Sequence, residues 1–166
     1  MTIGLMSDTH SFLDEKIFEH FEDCDEVWHA GDVGDEKVIE RLKEFKPLKV
    51  VYGNIDTGNV RNSFPLDYRF MCEGIDVWMT HIGGYPGRYN KRVRDIMKEN
   101  PPKLFICGHS HILKVMPDKK HDLLHMNPGA CGKHGFHQVR TILKFSINNA
   151  KIHDLKVIEL GLRGAI

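Results

Sequence analysis

The chain contains no apolar run approaching the ~20 residues that a membrane-spanning helix needs. Its first residues also lack the basic, apolar and small-residue succession of a secretory leader. Cysteine is scarce: Cys24, Cys72, Cys107 and Cys131 stand far apart, with no CxxC pair. Neither a zinc ribbon nor a disulfide framework is indicated, and the four read as small buried hydrophobes in a reducing compartment. Net charge is lacking too, 23 Lys and Arg balancing 23 Asp and Glu, which argues against a dedicated nucleic-acid-binding surface. No repeat, low-complexity tract or linker divides the sequence. The expectation is a soluble, cytoplasmic, single-domain protein over residues 1–166 with no membrane partner; a homo-oligomer stays open.

What is present fits that class. With 166 residues, 41% of them hydrophobic and 28% charged, the chain should fold to a surface of roughly 8,400 Å² and bury about 70% of its unfolded area. The neutral total hides an asymmetry: residues 1–83 carry 8 Lys/Arg and 17 Asp/Glu, residues 84–166 carry 15 and 6. Either two oppositely charged faces or a basic rim beside an acidic half would produce it, and composition does not separate them.

Hydrophobic patterning alternates strand and helix in the first half. Thr2–Met6 predicts a strand, and Leu13, Ile17, Phe18 and Phe21 share one helical face. Val27-Trp28 predicts a second strand; Val38, Ile39, Leu42 and Phe45 mark a helix that ends before Pro47. Residues 48–52 read as a buried strand. Asp67–Cys72 and residues 76–80 flank a Glu73-Gly74 hairpin turn, and Tyr89, Val93, Ile96 and Met97 predict a further helix before Pro101. The remainder reads as strands at 104–107, 113–116, 123–126, 140–147 and 152–160, with Asn148-Asn149 as the last turn. This order predicts a mixed α/β fold in which two sheets pack together with helices outside.

Five apolar strands each run into an O- or N-donor side chain. Residues 3–6 lead to Asp8 and His10, Val27-Trp28 to Asp32, 50–52 to Asn54, 77–80 to His81, and 104–107 to His109 and His111. The C-terminal edge of such strands is where ligands bind in sheet proteins. Seven donors exceed what one tetrahedral ion uses and suit two adjacent ions sharing a carboxylate. Mixed imidazole and carboxylate donors favour Mn, Fe, Zn or Ni over Mg or Ca. Two divalent ions less two Asp charges and one hydroxide leave about +1, a centre that attracts a phosphate anion.

Asp8-Thr9-His10, Gly31-Asp32-Val33-Gly34-Asp35, Gly53-Asn54-Ile55-Asp56, Thr80-His81 and Gly108-His109-Ser110-His111 together resemble the five blocks of calcineurin-like metallophosphoesterases, in family order. The small size and Asn127-Pro128-Gly129 are similar to the YfcE-type phosphodiesterase branch. The resemblance implies a four-layer αββα sandwich and a hydrolase that cleaves a P–O bond of a small phosphoester through a metal-bridging hydroxide. It implies that Asp8, His10 and His111 hold one ion, that Asn54, His81 and His109 hold another, and that Asp32 bridges. Asp32, Asn54, His81 and His109 would form the catalytic set. Manganese is the preferred ion, with nickel, iron or zinc as alternatives. A phosphomonoesterase on the same site, or a non-catalytic scaffold like a related retromer coat subunit, are the other readings. Ile55 is a departure, because many family members place a histidine there, in contact with phosphate or leaving group.

The other histidines divide. His20 and His153 are assigned to structure, and His29 to packing or to support of the ligands. His121 and His125 share a zinc-like i, i+4 spacing, but strand geometry over 122–126 separates them. Lys133, His134, His137 and Arg88 are read as solvated loop residues, with phosphate-side contact as the alternative. Asp35 and Asp56 are expected to orient ligands.

Overall fold

The computed structural model describes residues 1–164. Its order is β1 (Thr2–Met6), α1 (Lys16–His20), β2 (Glu26–His29), α2 (Glu36–Phe45), β3 (Leu48–Val50), α3 (Gly58–Ser63), β4 (Asp67–Cys72), β5 (Ile75–Thr80), α4 (Lys91–Glu99), β6 (Leu104–Ile106), β7 (Leu113–Asp118), β8 (Leu123–Pro128), β9 (Val139–Asn148) and β10 (Lys151–Leu162). Two five-stranded sheets result, ordered β10-β9-β1-β2-β3 and β4-β5-β6-β8-β7. Both are mixed. In the first, β1, β2 and β3 are parallel, β9 runs antiparallel to β1, and β10 antiparallel to β9; in the second, β5, β6 and β8 are parallel, with β4 antiparallel to β5 and β7 antiparallel to β8. The folded surface is 8358 Å², in line with the scaling expectation.

Side-chain alternation along each strand builds the layers. Ile3, Leu5 and Trp28 of the first sheet meet Val77, Met79, Leu104 and Ile106 of the second in the central core. Met6, Val27 and Val50 point the other way, onto Ile17, Phe21, Val38, Ile39 and Leu42 around α1 and α2. Trp78 and Phe105 cover the outside of the second sheet together with Val93 and Met97 of α4. The result is helices, sheet, sheet, helix: the four-layer αββα sandwich.

Several local expectations shift. α1 spans one turn and a half, and α4 starts at Lys91, where the Asn90 side chain accepts from Val93 N at 2.8 Å. Ile96, placed by periodicity on the buried face of α4, is 37% exposed. The last hairpin turns on Asn149-Ala150, one residue later than expected, because both residues take the left-handed conformation (φ +49° and +58°). Helix α3 was not anticipated; its sequence GNVRNS buries only Val60 and so carries no periodic signal.

Candidate metal centre

The donors converge because each central strand ends beneath the same surface. β1 sits in the middle of the first sheet and delivers Asp8 and His10; β6 sits in the middle of the second and is followed by His109 and His111. Asp32 follows β2, Asn54 follows β3 and His81 follows β5. Five of these residues are left-handed: Asp8 (φ +56°), His10 (+45°), Asp32 (+53°), His109 (+68°) and His111 (+58°). Each such conformation costs on the order of 1 kcal/mol or more for a non-glycine residue, and clusters of them mark functional sites. Close approach fixes the neighbouring glycines: a Cβ on Gly53 would stand 2.8 Å from Asp32 Cγ and overlap its Oδ1 and backbone N.

The donors form two groups, Asp8–His10–His111 and Asp32–His81–His109, with the ligand atoms of each within 4.8 Å of one another. In the first, His111 Nε2 lies 3.2 Å from Asp8 Oδ1 and 3.3 Å from His10 Nε2. In the second, His81 Nε2 lies 3.2 Å from Asp32 Oδ1. Donors about 2.1 Å from one ion at ordinary coordination angles stand roughly 3–3.5 Å apart, so the spacings fit a bound ion. Asp8 Oδ1 and His81 Nε2 are buried with no hydrogen-bond partner, which supports the same fit. Asp32 divides its carboxylate between the groups, with Oδ2 3.6 Å from His10 Nε2. Asn54 lines a cavity of about 420 Å³ with Asp32, His10, His109 and His111. All seven sequence candidates are therefore brought to one place.

The backbone aims these groups. His81 Nδ1–H donates to Ala30 O at 2.7 Å, leaving Nε2 free to face the cluster. His109 N–H donates to Asp8 Oδ2 at 3.2 Å and Ile55 N–H to Asp32 Oδ1 at 3.1 Å. Asp56 accepts from Gly34 N (2.8 Å) and Gly53 N (2.7 Å), tying together the turns after β2 and β3. Asn127 Nδ2 donates to Gly108 O at 2.8 Å, and its Oδ1 accepts from Gly129 N at 3.0 Å, holding the Gly108-His109-Ser110-His111 turn. His29 Nδ1 accepts from Gly31 N (3.1 Å), so its Nε2–H donates to Thr9 Oγ1 (3.0 Å). Burial pushes its pKa down to about 4 and keeps it neutral.

The electrostatics favour cations. Burial lowers the pKa values of His10 and His109, leaving their nitrogens free to ligate. Burial would raise Asp32, but His81 and His10 beside it and the Ile55 N–H outweigh that and hold its carboxyl below the usual range. Burial likewise opposes charge on His81, yet the Asp32 and Asp8 carboxylates raise its pKa. Carboxylates that favour a proton on His81 favour a cation in the same place.

The remaining candidates separate clearly. His134 packs against His10 at a tilt of 39°, ring centroids 4.8 Å apart, and lines the central cavity with Ile55. His137 Nε2–H donates to Gly132 O at 3.0 Å. Lys133 lies over the Phe12 ring. Asp35, expected to orient ligands, instead caps α2 by accepting from Lys37 N at 2.9 Å. His121 pairs with Asp118 at 2.7 Å while His125 packs on Phe105, so the two do not converge. Sequence reasoning passed over Tyr52, Arg61, Tyr85 and Lys114, which line two cavities beside the cluster and lie in no motif.

A two-sheet sandwich with paired carboxylate–imidazole groups at its parallel strand ends is the arrangement of a metallophosphoesterase-type domain. The calcineurin-like phosphoesterase superfamily domain matches residues 1–150, and the chain belongs to that superfamily. It is 31% identical over 138 residues to a probable metallophosphoesterase of Methanocaldococcus jannaschii, covering 78% of this chain and 68% of that protein. A probable metallophosphoesterase of Methanothermobacter thermautotrophicus is 29% identical over 135 residues, covering 78% and 77%. Among solved structures, an archaeal phosphodiesterase aligns with TM-score 0.77 at 24% identity, covering 96% of this chain and all of that one. Vps29 of Entamoeba histolytica complexed with zinc aligns at 0.74 with 13% identity over 99% and 100%. At these identities the two structures share the fold.

Proposed function

We propose that residues 1–166 act as one domain and hydrolyse a small phosphodiester at a binuclear metal centre. Asp8, His10 and His111 would hold one ion and Asn54, His81 and His109 the other, with Asp32 between them. The observation that carries this reading is the Asp32 carboxylate, whose two oxygens face different donor groups at 3.6 and 3.2 Å. Bound ions would lower the pKa of water and neutralise charge on the phosphoryl oxygens; the mixed donors suit manganese first, then nickel, iron or zinc. The chain's own part is positioning. Ile55 N–H and His109 N–H orient the two carboxylates, Ala30 O fixes the His81 tautomer, and His134 and Ile55 flank the cavity where the phosphate would sit.

A diester is favoured over a monoester because two further cavities adjoin the central one, sharing Asn54 with it in one case and His109 and Ser110 in the other, and the archaeal neighbour described as a phosphodiesterase supports it. A purely structural scaffold would need neither the buried orphan atoms nor the left-handed donors. The test is metal analysis of the purified protein together with hydrolysis of a chromogenic aryl diester and its monoester. Two transition-metal ions per chain and faster diester turnover are expected. Absence of bound metal with no turnover of either ester would overturn the proposal.

A further inference from the structure

Two further cavities adjoin the central one at the second donor group, and the loop after β5 contributes to both. One, lined by Tyr52, Arg61, Leu66 and Ile82, is about 210 Å³ and reaches Asn54 and His81. The other, lined by Tyr85, Ile112 and Lys114, is about 150 Å³ and reaches His109 and Ser110. The two are built alike. The Arg61 guanidinium lies 4.5 Å from the Tyr52 ring centroid, and Lys114 Nζ lies 3.8 Å from that of Tyr85. Neither cation belongs to an ion pair among the described residues. Exposed aliphatic side chains complete each wall, Leu66 and Ile82 beside Arg61 and Ile112 beside Lys114. A cation parked on a ring is ordinary on a surface; two of them, each unpaired and each walling a cavity that opens onto the same donor cluster, are a matched pair of flanking subsites.

We infer that these subsites hold the two ester arms of the substrate, and that each arm ends in a single planar six-membered ring rimmed with hydrogen-bond acceptors, as in a dipyrimidine nucleoside phosphate. Size sets the ring count: a cavity of about 150 Å³ takes one benzene-sized ring, and one of about 210 Å³ takes the same ring with its substituents. Chemistry sets the rim: an aromatic and aliphatic wall receives the ring face, and a cation without a carboxylate partner receives carbonyl oxygens at its edge. Arg61 and Lys114 are then specificity-determining residues for the hydrolysis proposed above, on which this inference rests. The oxygen of water would join phosphorus, the P–O bond to one arm would break, and that arm's oxygen would leave with a proton from the water. The products are a nucleoside and a nucleoside monophosphate.

Calorimetric titration of the full chain in chelator, where hydrolysis stops, reads the arms directly. The probes are thymidylyl-thymidine and thymidine 5′-methyl phosphate, equal in charge and differing by one ring-bearing arm. The two-armed probe is expected to bind at least tenfold tighter. Arg61→Met and Lys114→Met should each reduce that ratio to threefold or less, whereas Lys43→Met, a lysine over the Phe64 ring that walls neither cavity, leaves it intact. In the metal-loaded protein the two cavity variants should raise KM for thymidylyl-thymidine about tenfold with little change in kcat. Equal binding of the two probes, or an unchanged ratio in both variants, would overturn the subsites. Loss of all ester hydrolysis in the metal-loaded wild type would instead overturn the phosphoesterase reading, and the binding ratio separates the two failures.

Discussion

Replacing Gly53 by alanine should disable the centre through one methyl group. The new Cβ would stand 2.8 Å from Asp32 Cγ and closer still to Asp32 Oδ1 and its backbone N. Carbon contacts settle near 3.5–4 Å, so relief needs a displacement on the order of 1 Å. One overlapped atom is backbone, so the turn after β2 must move as well as the carboxylate. Overpacking of this kind costs about 1–3 kcal/mol, and at roughly 2–4 °C per kcal/mol for a chain of this length Tm should fall by about 2–12 °C. Displacing a catalytic group by about 1 Å costs on the order of 10²-fold in rate. Gly74→Ala is the matched control: it forces alanine to φ +85° in the β4–β5 turn, with its Cβ 3.1 Å from Ala150, far from the donors. It should lower Tm by a comparable amount and leave metal content and turnover unchanged. Thermal unfolding by circular dichroism, metal analysis after dialysis and aryl diester turnover together decide. Wild-type metal content and rate in Gly53→Ala would refute the placement of Asp32 between the ions.

Further outcomes follow from other parts of the site. Asn54→Ala and His81→Ala should each keep the fold, lose one of two ions in a metal titration and lose most turnover; near-wild-type rates in metal-limited buffer would refute their assignment. Position 55 supplies no imidazole, so if no other group replaces it rates over graded diesters should depend steeply on leaving-group pKa and flatten in Ile55→His, general acids contributing ~10²–10⁴-fold. A flat wild-type series that steepens in His134→Ala would instead make His134 the donor; flat series in all three proteins would show that departure does not limit the rate. Burial pushes His125 down to about 4 from an ordinary 6.5, so the unfolded chain binds its proton first as pH falls. Its stabilising contribution is complete above about pH 6.5 and declines to pH 4 by about 3 kcal/mol in total. His125→Leu should remove that share of the acid dependence in urea titrations, and an unchanged slope would count against it.

The sequence announces most of the centre because strand periodicity and donor chemistry coincide there. Asp8, Asp32, His81 and His109 each end an apolar run, and a run of that kind is visible without coordinates. α3 is invisible for the opposite reason, holding a single buried residue, Val60, among polar ones. Asp35 misled because a carboxylate one turn from a ligand looks the same in sequence whether it orients that ligand or caps a helix. The pairing of Arg61 with Tyr52 and of Lys114 with Tyr85 arises from loop paths that no local pattern encodes. Left-handed backbone at five donors could not be read either, although Asp and His are among the few side chains that tolerate it.

Neither donor group belongs to one sheet. Asp8 and His10 follow a strand of the first sheet and His111 one of the second; Asp32 comes from the first, His81 and His109 from the second. An ion in either group is therefore a clasp across the open end of the sandwich, binding only when both layers are in register. Linkage makes the clasp a stabiliser, worth about 2.7 kcal/mol per site at a free ion concentration 100 times its Kd. Chelation should loosen the two layers at this end first, with amides of β1 and β6 exchanging faster. The ions that would ready the protein for hydrolysis would also set how firmly its halves are joined.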